Sequence, residues 1–402
     1  MRVALLSILD HAGEAEDGHR AFLTFAGKSL VSRQLELALD LGCERIVCIS
    51  DNLARPLIAL QHRVEAAGAR FHVISTPRAL GGLVHAADEL VVIAEGVLPL
   101  AQQARHLLAK GNAVLVLPVE EGLASGFERV DINYAWAGAL AMPGRLVERL
   151  NQLPPDCDAV SALLRIALQG GSQERELSAN LLAEGSWMRL SSQAEADALE
   201  PLWLRRLLPT PDPFAPGAAL ANWLARRFGM SLIDRGGGAR LLSISAWLMG
   251  FAAIALGWYL SVIAGLCLAL HASLLASASV VLGLLENAGA TETTRASRLR
   301  SALGWFLDLA LAILVTLGMG EWGQGWPDHL FNALFLFAAL RILAGLGKPR
   351  ISALAADRLI PGLAFIAAGL GDLLLQSVQM LTLLALIASV AHLRLSAKLT
   401  QA

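Results

Sequence analysis

Arg295, Gly304 and Asp308 have residue types and a spacing that could serve metal chemistry. Eight residues separate Arg295 from Gly304, and three separate Gly304 from Asp308. Asp308 lies inside a long apolar run, where a carboxylate is expensive unless it has a partner or lines a cavity. Such a carboxylate could hold a divalent ion, or could act as a base towards a hydroxyl group. These three residues are therefore candidates for an active site or for the remnant of one.

The surrounding composition is that of a membrane protein with a polar first half. The chain has 402 residues, of which 55% are hydrophobic and 16% charged, and its mean hydropathy is +0.55. From Arg240 to His392, apolar runs of roughly 18 to 25 residues follow one another, which is the length that a helix needs to cross a bilayer. The formal net charge of −2 gives no reason to expect a nucleic-acid partner.

The second half is predicted to contain six membrane spans. The fifth of them carries Asp357, Arg358 and Pro361 within it. The predicted spans are 241–259, 262–285, 302–320, 329–346, 354–370 and 373–393.

Positive charge predicts the orientation of these spans. The arginines and lysines that flank the spans would all lie on one side, whereas the opposite loops contain acids and tryptophans. This asymmetry predicts an inner-membrane protein with both termini in the cytoplasm, in agreement with a first apolar run that is too short for a signal peptide. The stretch GAALANWLARRFGM has the spacing of an interfacial helix; the alternative is a linker helix packed on the first domain. The flanking basic residues are Arg226, Arg227, Arg235, Arg240, Arg295, Arg298, Arg300, Lys348, Arg350, Arg394 and Lys398, and the aromatic residues expected at the outer interface are Trp258, Tyr259, Trp322 and Trp326.

The first half has the pattern of an α/β sandwich. Short apolar runs, typical of strands that are buried on both faces, alternate with stretches of helical periodicity. The prolines of 209–217 forbid a continuous helix there. We therefore expect a cytoplasmic domain at 1–208, a linker with the interfacial helix at 209–239, and an all-α membrane domain at 240–402. The predicted strands are 3–9, 45–50, 70–75, 90–94, 113–119 and 136–142.

The segment AGKSLVSRQLELALDLGCERIVCI resembles the corresponding segment of the sugar-phosphate and molybdenum-cofactor nucleotidyltransferases. The resemblance implies a Rossmann-like nucleotidyltransferase fold, with Arg20 at the position of the catalytic lysine and Glu95 at that of the metal-holding aspartate. The glycine-rich phosphate loop of the family is replaced by LDHAGEAEDGH. The acids of this loop, Asp10, Glu14, Glu16 and Asp17, would repel a nucleotide, so we expect no nucleotide transfer by this domain.

Arg295, Gly304 and Asp308, together with six spans and an interfacial helix, resemble the CDP-alcohol phosphotransferases. The motif of that family is D-x2-D-G-x2-A-R-x8-G-x3-D-x3-D, and three of its eight positions are kept. The other five positions hold Asn287, Ala290, Thr291, Thr294 and Ala312. The resemblance implies common ancestry, and the chemistry that it implies is transfer of a phospho-lipid group from a CDP carrier to an alcohol.

The lost aspartates bear on metal binding. In the family, four aspartates hold two divalent ions, and one aspartate with one asparagine cannot hold such a pair. A shifted Mg²⁺ site built from Asp308, Glu286 and Glu292 is the alternative. Glu286 stands one residue before the lost first position, about 100° around a helix, and so points elsewhere. We therefore expect no metal or other cofactor, and Mg²⁺ only under the alternative.

The favoured hypothesis is a catalytically degenerate membrane protein of polar-lipid biosynthesis. It would bind a membrane lipid or regulate a lipid-synthesis enzyme, and it could form a homodimer as the resembled family does. The alternatives are an active CDP-alcohol phosphotransferase with a rebuilt metal site, and a lipid-handling or transport protein.

Asp308 needs a partner if it no longer holds metal. Counted at about 1.5 Å per residue from the cytoplasmic ends of their spans, Asp308 lies roughly 10 Å deep and Arg341 about 9 Å deep. The depths match, so the sequence predicts that Asp308 pairs with Arg341, or with Arg295 reaching from the cytoplasmic junction.

Overall fold

The chain forms two compact units. The computed structural model describes residues 1–12, 18–51, 55–109, 111–154, 157–208, 212–228, 237–286, 294–320, 325–346 and 349–399. The described residues up to Leu208 make the first unit, and those of 212–286 and 294–399 make the second.

The first unit is built around a mixed sheet of eight strands. The strands follow the order β11-β8-β10-β6-β1-β4-β5, and β9 pairs with β10 at one end of that strand. β1 is parallel to both β4 and β6, whereas β10 runs antiparallel to β6 and β8. Two small two-stranded sheets, β2 with β3 and β7 with β12, complete the unit. The strands are β1 Arg2–Ile8, β2 Thr24–Phe25, β3 Lys28–Ser29, β4 Arg45–Ser50, β5 Arg70–Ile74, β6 Glu89–Ile93, β7 Val97–Pro99, β8 Ala113–Pro118, β9 Glu128–Arg129, β10 Tyr134–Pro143, β11 Gln173–Glu176 and β12 Trp187–Arg189.

Helices cover both faces of this sheet, which explains why its central strands are apolar without alternation. The side chains of β1 and β6 contribute to two separate apolar cores, one on each face. Three 3₁₀ segments, Arg20–Phe22, Pro77–Gly82 and Gly144–Gln152, lie among the connections. The helices are α1 Leu30–Asp40, α2 Arg55–Ala66, α3 Ala101–Leu108, α4 Val119–Ala124, α5 Ala159–Gln169, α6 Asn180–Ala183 and α7 Gln193–Leu207.

The β2–β3 hairpin is held by a buried arginine of α1. The Arg33 guanidinium donates from Nε to the carbonyl oxygen of Phe25 at 2.9 Å and from Nη2 to that of Ala26 at 2.6 Å. It also lies over the ring of Trp203 on α7, 4.6 Å from the ring centroid. The last helix of the unit is thereby fixed to the hairpin that precedes α1.

The second unit consists of eight helices among the described residues. Five of them, α9, α10, α11, α12 and α15, are long and apolar enough to cross a membrane. α10 contacts α8, α9, α11 and α14, and so lies at the centre of the unit. The helices are α8 Pro216–Phe228, α9 Gly238–Tyr259, α10 Val262–Glu286, α11 Thr294–Gly318, α12 Trp326–Gly345, α13 Pro349–Ala356, α14 Leu359–Leu370 and α15 Leu374–Leu399.

The predicted fifth span, 354–370, is not one helix. It is divided into α13 and α14 by Asp357 and Arg358, and α14 has only 12 residues. At 1.5 Å per residue, α14 is about 18 Å long, which is less than the roughly 30 Å of a bilayer core. The described residues therefore contain five span-length helices rather than the six that the sequence predicted.

Candidate functional site

Glu95 lies just after β6, beside the residues that follow β1. These strands are parallel neighbours, so the residues after their carboxyl ends meet at one edge of the sheet. The Glu95 carboxylate accepts hydrogen bonds from the backbone N–H groups of Leu9 at 2.9 Å, Asp10 at 3.0 Å and Ala21 at 3.1 Å. At the position that the family resemblance assigns to a metal ligand, this carboxylate instead fixes the two ends of the loop that follows β1.

Burial raises the pKa of Glu95 above its usual range. The hydrogen bonds from the N–H groups of Asp10 and Leu9 lower the pKa and offset part of this effect, and the neighbouring Asp10 charge raises it further. Desolvation is the largest contribution because the residue is only 5% exposed.

Arg20, which the sequence resemblance assigned to the position of a catalytic lysine, forms a salt bridge. Its Nη1 lies 2.8 Å from Oδ2 of Asp10. A side chain on Gly96 would clash with the Leu190 carbonyl oxygen and come within 2.7 Å of Cδ of Arg20, and Gly96 has a φ of +79°. Only glycine fits at this position, so the backbone after Glu95 packs closely on Arg20. The other acids of this loop, Glu14, Glu16 and Asp17, lie outside the described residues.

A cleft of about 340 Å³ opens at this edge of the sheet, and its charged lining is mainly acidic. Arg189 is the one basic residue among the lining residues of the described chain, and it donates to the carbonyl oxygen of Gly126. Burial, and then the nearby Arg20 charge, lower the pKa of Arg189. A polyanion entering the cleft would meet more negative than positive charge. The acidic lining residues are Asp10, Glu95, Glu128 and Asp158.

Asp308 on α11 is bound by two arginines, and we call these three residues the ion cluster. The Nε group of Arg341 on α12 donates to Oδ2 of Asp308 at 2.6 Å, and the Nη2 group of Arg341 is also paired with Oδ2. The Nε group of Arg358, which precedes α14, donates to Oδ1 at 2.5 Å. The predicted pairing of Asp308 with Arg341 is confirmed, whereas Arg358 was not predicted as a partner. The side chain of Arg295, the other predicted partner, lies outside the described residues.

Gly304 takes part in the same cluster through its backbone. Its carbonyl oxygen accepts a hydrogen bond of 2.9 Å from Nη2 of Arg358. A Cβ atom at this position would lie 3.4 Å from Nη2 of Arg358 and 3.5 Å from Nη2 of Arg341, which are ordinary contact distances, so both guanidiniums lie directly beside the Gly304 backbone. The guanidinium of Arg341 also lies over the ring of Trp305, 4.3 Å from its centroid.

Asp357 binds backbone groups at the start of two helices. Its Oδ2 accepts from the N–H group of Gly217 at 2.7 Å and from that of Ala218 at 3.3 Å, and its Oδ1 accepts from that of Leu359 at 2.8 Å. Asp357 thereby caps α14 and also binds the start of α8. A carboxylate is favourable at both places, because helix N-termini carry unpaired N–H groups and partial positive charge.

A cavity of about 230 Å³ lies beside Arg358 in the second unit. Besides Asp357 and Arg358, its wall includes Ser273 and Ser277 of α10 and apolar side chains such as that of Leu270. The hydroxyl groups of both serines donate to carbonyl oxygens of their own helix, four residues earlier.

The alternative metal ligands are not brought together in the part of the chain that the structure describes. Glu286 accepts a hydrogen bond of 3.1 Å from the N–H group of Ala239, at the start of α9. Glu292 lies outside the described residues. Across those described, no group of three or more His, Cys, Asp or Glu side chains could hold a metal ion.

Asp357 and Arg358 were missed as site residues. The signal available in the sequence was their place inside an apolar run, where two adjacent charges require partners. Sequence spacing could not identify those partners, because they lie 50 residues away at Asp308 and 140 residues away at Gly217.

Comparison with family models and with curated proteins gave no match to this chain. Among solved structures, the first half of the chain is similar to sugar-phosphate nucleotidylyltransferases. A Bacillus anthracis protein assigned as a glucose-1-phosphate thymidylyltransferase, in complex with a sucrose, matches with a TM-score of 0.39 and 12% identity over 53% of this chain and 98% of its own. A UDP-glucose pyrophosphorylase complexed with UDP-glucose matches with a TM-score of 0.38 and 12% identity, covering 51% of this chain and 99% of its own. A UDP-glucose pyrophosphorylase from Acinetobacter baumanii gives a TM-score of 0.35 and 12% identity, covering 50% and 92%.

Proposed function

We propose that this chain is a membrane-embedded, catalytically degenerate relative of the CDP-alcohol phosphotransferases, which binds lipid or regulates a partner in polar-lipid biosynthesis. The observation that carries the proposal is the pairing of both oxygens of Asp308 with arginines. A carboxylate that is bound by two guanidiniums is not available as a ligand for a divalent ion.

The surroundings of Asp308 support this proposal. Ala312 stands one turn further along α11, where the resembled motif has its last aspartate, and it is buried among apolar side chains. A pair of Mg²⁺ ions requires several hard oxygen ligands in near-octahedral geometry. Replacement of an acidic ligand by a buried methyl group, together with arginines on the remaining carboxylate, favours the loss of metal chemistry.

The first unit supports the same conclusion for nucleotide transfer. A phosphate-binding loop offers its backbone N–H groups to the ligand, whereas here those of Leu9, Asp10 and Ala21 are bound to Glu95. The acidic cleft adds electrostatic repulsion. We therefore propose that neither unit transfers a nucleotidyl or phospho-lipid group.

We also propose that α13 and α14 together form the fifth of six membrane crossings. Residues 349–370 amount to 22 residues, or roughly 33 Å at helical rise, which is enough for a bilayer core. Six crossings would leave both termini in the cytoplasm at the inner membrane. We propose that the partner is either a second copy of this chain or a lipid-synthesis enzyme.

Release of CMP tests this function. The purified full-length protein is incubated with a CDP-activated lipid, an alcohol acceptor and Mg²⁺, and CMP is measured. We expect no more CMP than in a sample without protein, and the same from Asp308→Asn. Strong Mg²⁺-dependent release by the unaltered protein, lost in Asp308→Asn, would instead establish the active enzyme with a rebuilt metal site.

A restored variant tests ancestry separately from activity. Asn287→Asp, Ala290→Asp, Thr291→Gly and Ala312→Asp, made together, rebuild the three lost acidic positions of the motif and its first glycine. We expect the unaltered protein to bind no Mn²⁺ in calorimetry. Binding gained by the restored variant would show that the scaffold keeps the geometry of the motif.

A further inference from the structure

The ion cluster contains more positive than negative charge. Two guanidiniums share the carboxylate of Asp308, and among the described residues no other carboxylate is paired with either. The neighbouring Asp357 is bound at the N-termini of α8 and α14, each of which carries a partial positive charge of about half an elementary charge. These N–H groups stabilise the carboxylate of Asp357, which keeps its negative charge. The ion cluster itself, with two arginines and one aspartate, has a formal charge of +1 inside a unit made largely of apolar helices.

Each of the two arginines also has N–H groups that are not hydrogen-bonded to Asp308. Arg341 donates from Nε to Asp308 and its Nη2 group is in ion-pair contact with the same oxygen, whereas Arg358 donates from Nε to Asp308 and from Nη2 to the Gly304 carbonyl oxygen. Within the described ranges, the Nη1 group of neither arginine has a hydrogen-bond acceptor. Because a guanidinium presents several N–H groups in one plane, each side chain can bind a further oxygen anion while it holds Asp308.

The cavity beside Arg358 combines this charge with apolar walls. Leu270 and Leu274 contribute apolar surface, whereas Asp357 and Arg358 are the charged residues of the lining. The Ser273 and Ser277 hydroxyl groups already donate within α10, so Arg358 is the lining residue with charged N–H donors to offer a ligand. A ligand that fits this wall has an anionic oxygen group next to an apolar part.

We propose that the ion cluster and the adjoining cavity bind the phosphate group of an anionic membrane phospholipid. Arginine matches phosphate oxygens through paired N–H donors, and the apolar wall suits the glycerol and first acyl carbons of a lipid. The proposal rests on the proposed function, because it names the class of lipid that this non-catalytic protein holds. Inorganic phosphate offers the same oxygen chemistry without the apolar part, so the two sources can be told apart.

The test uses the full-length protein in detergent micelles with radiolabelled phosphatidylglycerol. We expect unlabelled phosphatidylglycerol to displace the label at a concentration at least five-fold lower than zwitterionic phosphatidylcholine. Inorganic phosphate at the same concentrations should displace little of the label. Equal competition by the two phospholipids would overturn the proposal, and displacement by inorganic phosphate as efficient as by the lipid would assign the site to a free anion.

Two substitutions with a matched control separate binding at the cluster from general attraction. Arg358→Gln should weaken phosphatidylglycerol binding about ten-fold. Arg298→Gln removes the same charge from an exposed position of α11, and it should change the binding less than two-fold. An equal loss in both variants would contradict a specific site.

Asp308→Asn distinguishes a binding site from a purely structural ion pair. Removal of the carboxylate leaves both guanidiniums free for the ligand, so binding should tighten several-fold in protein that stays monodisperse on gel filtration. A folded Asp308→Asn variant with weaker binding would refute the proposal. If this variant does not fold, the lipid preference of the unaltered protein and the Arg358→Gln to Arg298→Gln comparison decide the question. None of these outcomes depends on CMP release. The proposed lipid site can therefore be refuted while the proposed non-catalytic function is retained.

Discussion

At Glu95, three backbone N–H groups converge on one carboxylate. Its two oxygens bind Leu9 and Asp10 on one side of the loop after β1 and Ala21 on the other, so the carboxylate holds the two ends of this loop together. The cost is a buried negative charge, which the structure compensates only in part. The stability of the first unit should therefore depend on the protonation of this residue.

We predict that the Glu95 contribution to stability decreases as the pH rises. The pKa in the folded state is raised above the usual value of 4.5, so the folded state binds the proton more tightly than the unfolded state does. The contribution is complete below about pH 4.5 and is lost as the pH rises through the raised pKa. The total loss in the free energy of unfolding is about 1.4 kcal/mol for each unit by which the folded-state pKa exceeds the unfolded-state pKa. The free energy of unfolding of residues 1–208, measured by urea titration between pH 4 and 8, tests this.

Glu95→Gln provides the comparison. A glutamine amide cannot accept all three hydrogen bonds, so the substitution should lower the free energy of unfolding by about 1 to 3 kcal/mol. The difference between the unaltered protein and this variant should shrink with rising pH, whereas Glu120→Gln, at an exposed position, should keep the pH dependence of the unaltered protein. A difference that grows with pH would mean that the folded state favours the ionised carboxylate.

Of the residues in the ion cluster, the sequence could pair Asp308 with Arg341 but not with Arg358. Helical rise alone places Asp308 and Arg341 at similar depth, and their pairing follows from the need of a buried carboxylate for a partner. Arg358 could not be paired in this way, because its position depends on where a helix breaks. A charge inside an apolar run indicates that a partner exists, but tertiary packing decides which one.

At the level of helices, the two residues between α13 and α14 connect three parts of the second unit. Asp357 binds the start of α8, and the next residue, Arg358, binds both Asp308 and the backbone of α11. Two adjacent side chains thus connect a helix outside the long bundle helices to the bundle itself. The carboxylate of Asp357 can approach the start of α8 this closely because Gly217 has no side chain.

We predict that Gly217→Ala destabilises the second unit. The added Cβ atom would lie 2.6 Å from Oδ1 of Asp357, so the carboxylate must move away from the N–H groups that it caps. The loss should be about 1 to 3 kcal/mol, the cost of leaving such groups unpaired. The measurement is the thermal unfolding midpoint of the full-length protein in detergent.

Gly345→Ala is the matched control for this change. This glycine ends α12, and nothing lies within 4 Å of its added Cβ atom. Alanine is the better helix former by about 1 kcal/mol, so the midpoint should stay the same or rise. Equal destabilisation by both substitutions would show that Asp357 is not what makes Gly217 necessary.

The central strands of the sheet could be predicted from the sequence, whereas the edge strand β11 could not, for a physical reason. The predictions 3–9, 45–50, 70–75, 90–94 and 113–119 agree with β1, β4, β5, β6 and β8 to within a residue at each end, because central strands are apolar runs with polar ends. The strand β11, with the sequence QERE, was not predicted. It has no apolar signal, and its pairing with β8 depends on the folded sheet.

For the whole molecule, the number of crossings determines the side of each terminus. With α13 and α14 as one broken crossing, the count is six, and reporters fused at Met1 and Ala402 should both report the cytoplasm. A reporter inserted at Gly323, between α11 and α12 in the sequence, should report the opposite side. Opposite results for the two termini would show that only the five long helices cross the membrane.

The first unit should fold and remain soluble without the second. Its described residues form a sheet with two apolar cores of its own, so residues 1–208 expressed alone should give a cooperative thermal transition. Calorimetry with CTP and Mg²⁺ should detect no binding in the micromolar range, because the cleft is acidic and its nearby N–H groups are bound to Glu95. Micromolar, Mg²⁺-dependent binding would refute the loss of the nucleotide site.

The ion cluster also imposes an order on biosynthesis. A ribosome delivers Asp308 to the membrane 33 residues before Arg341 and 50 residues before Arg358. During that interval the carboxylate has neither of its partners, and a lone charge in lipid is unfavourable by up to roughly 3 kcal/mol, the value at the bilayer centre. We infer that α11 stays beside the insertion machinery until α12 and the α13–α14 junction arrive, so these segments leave it as one group.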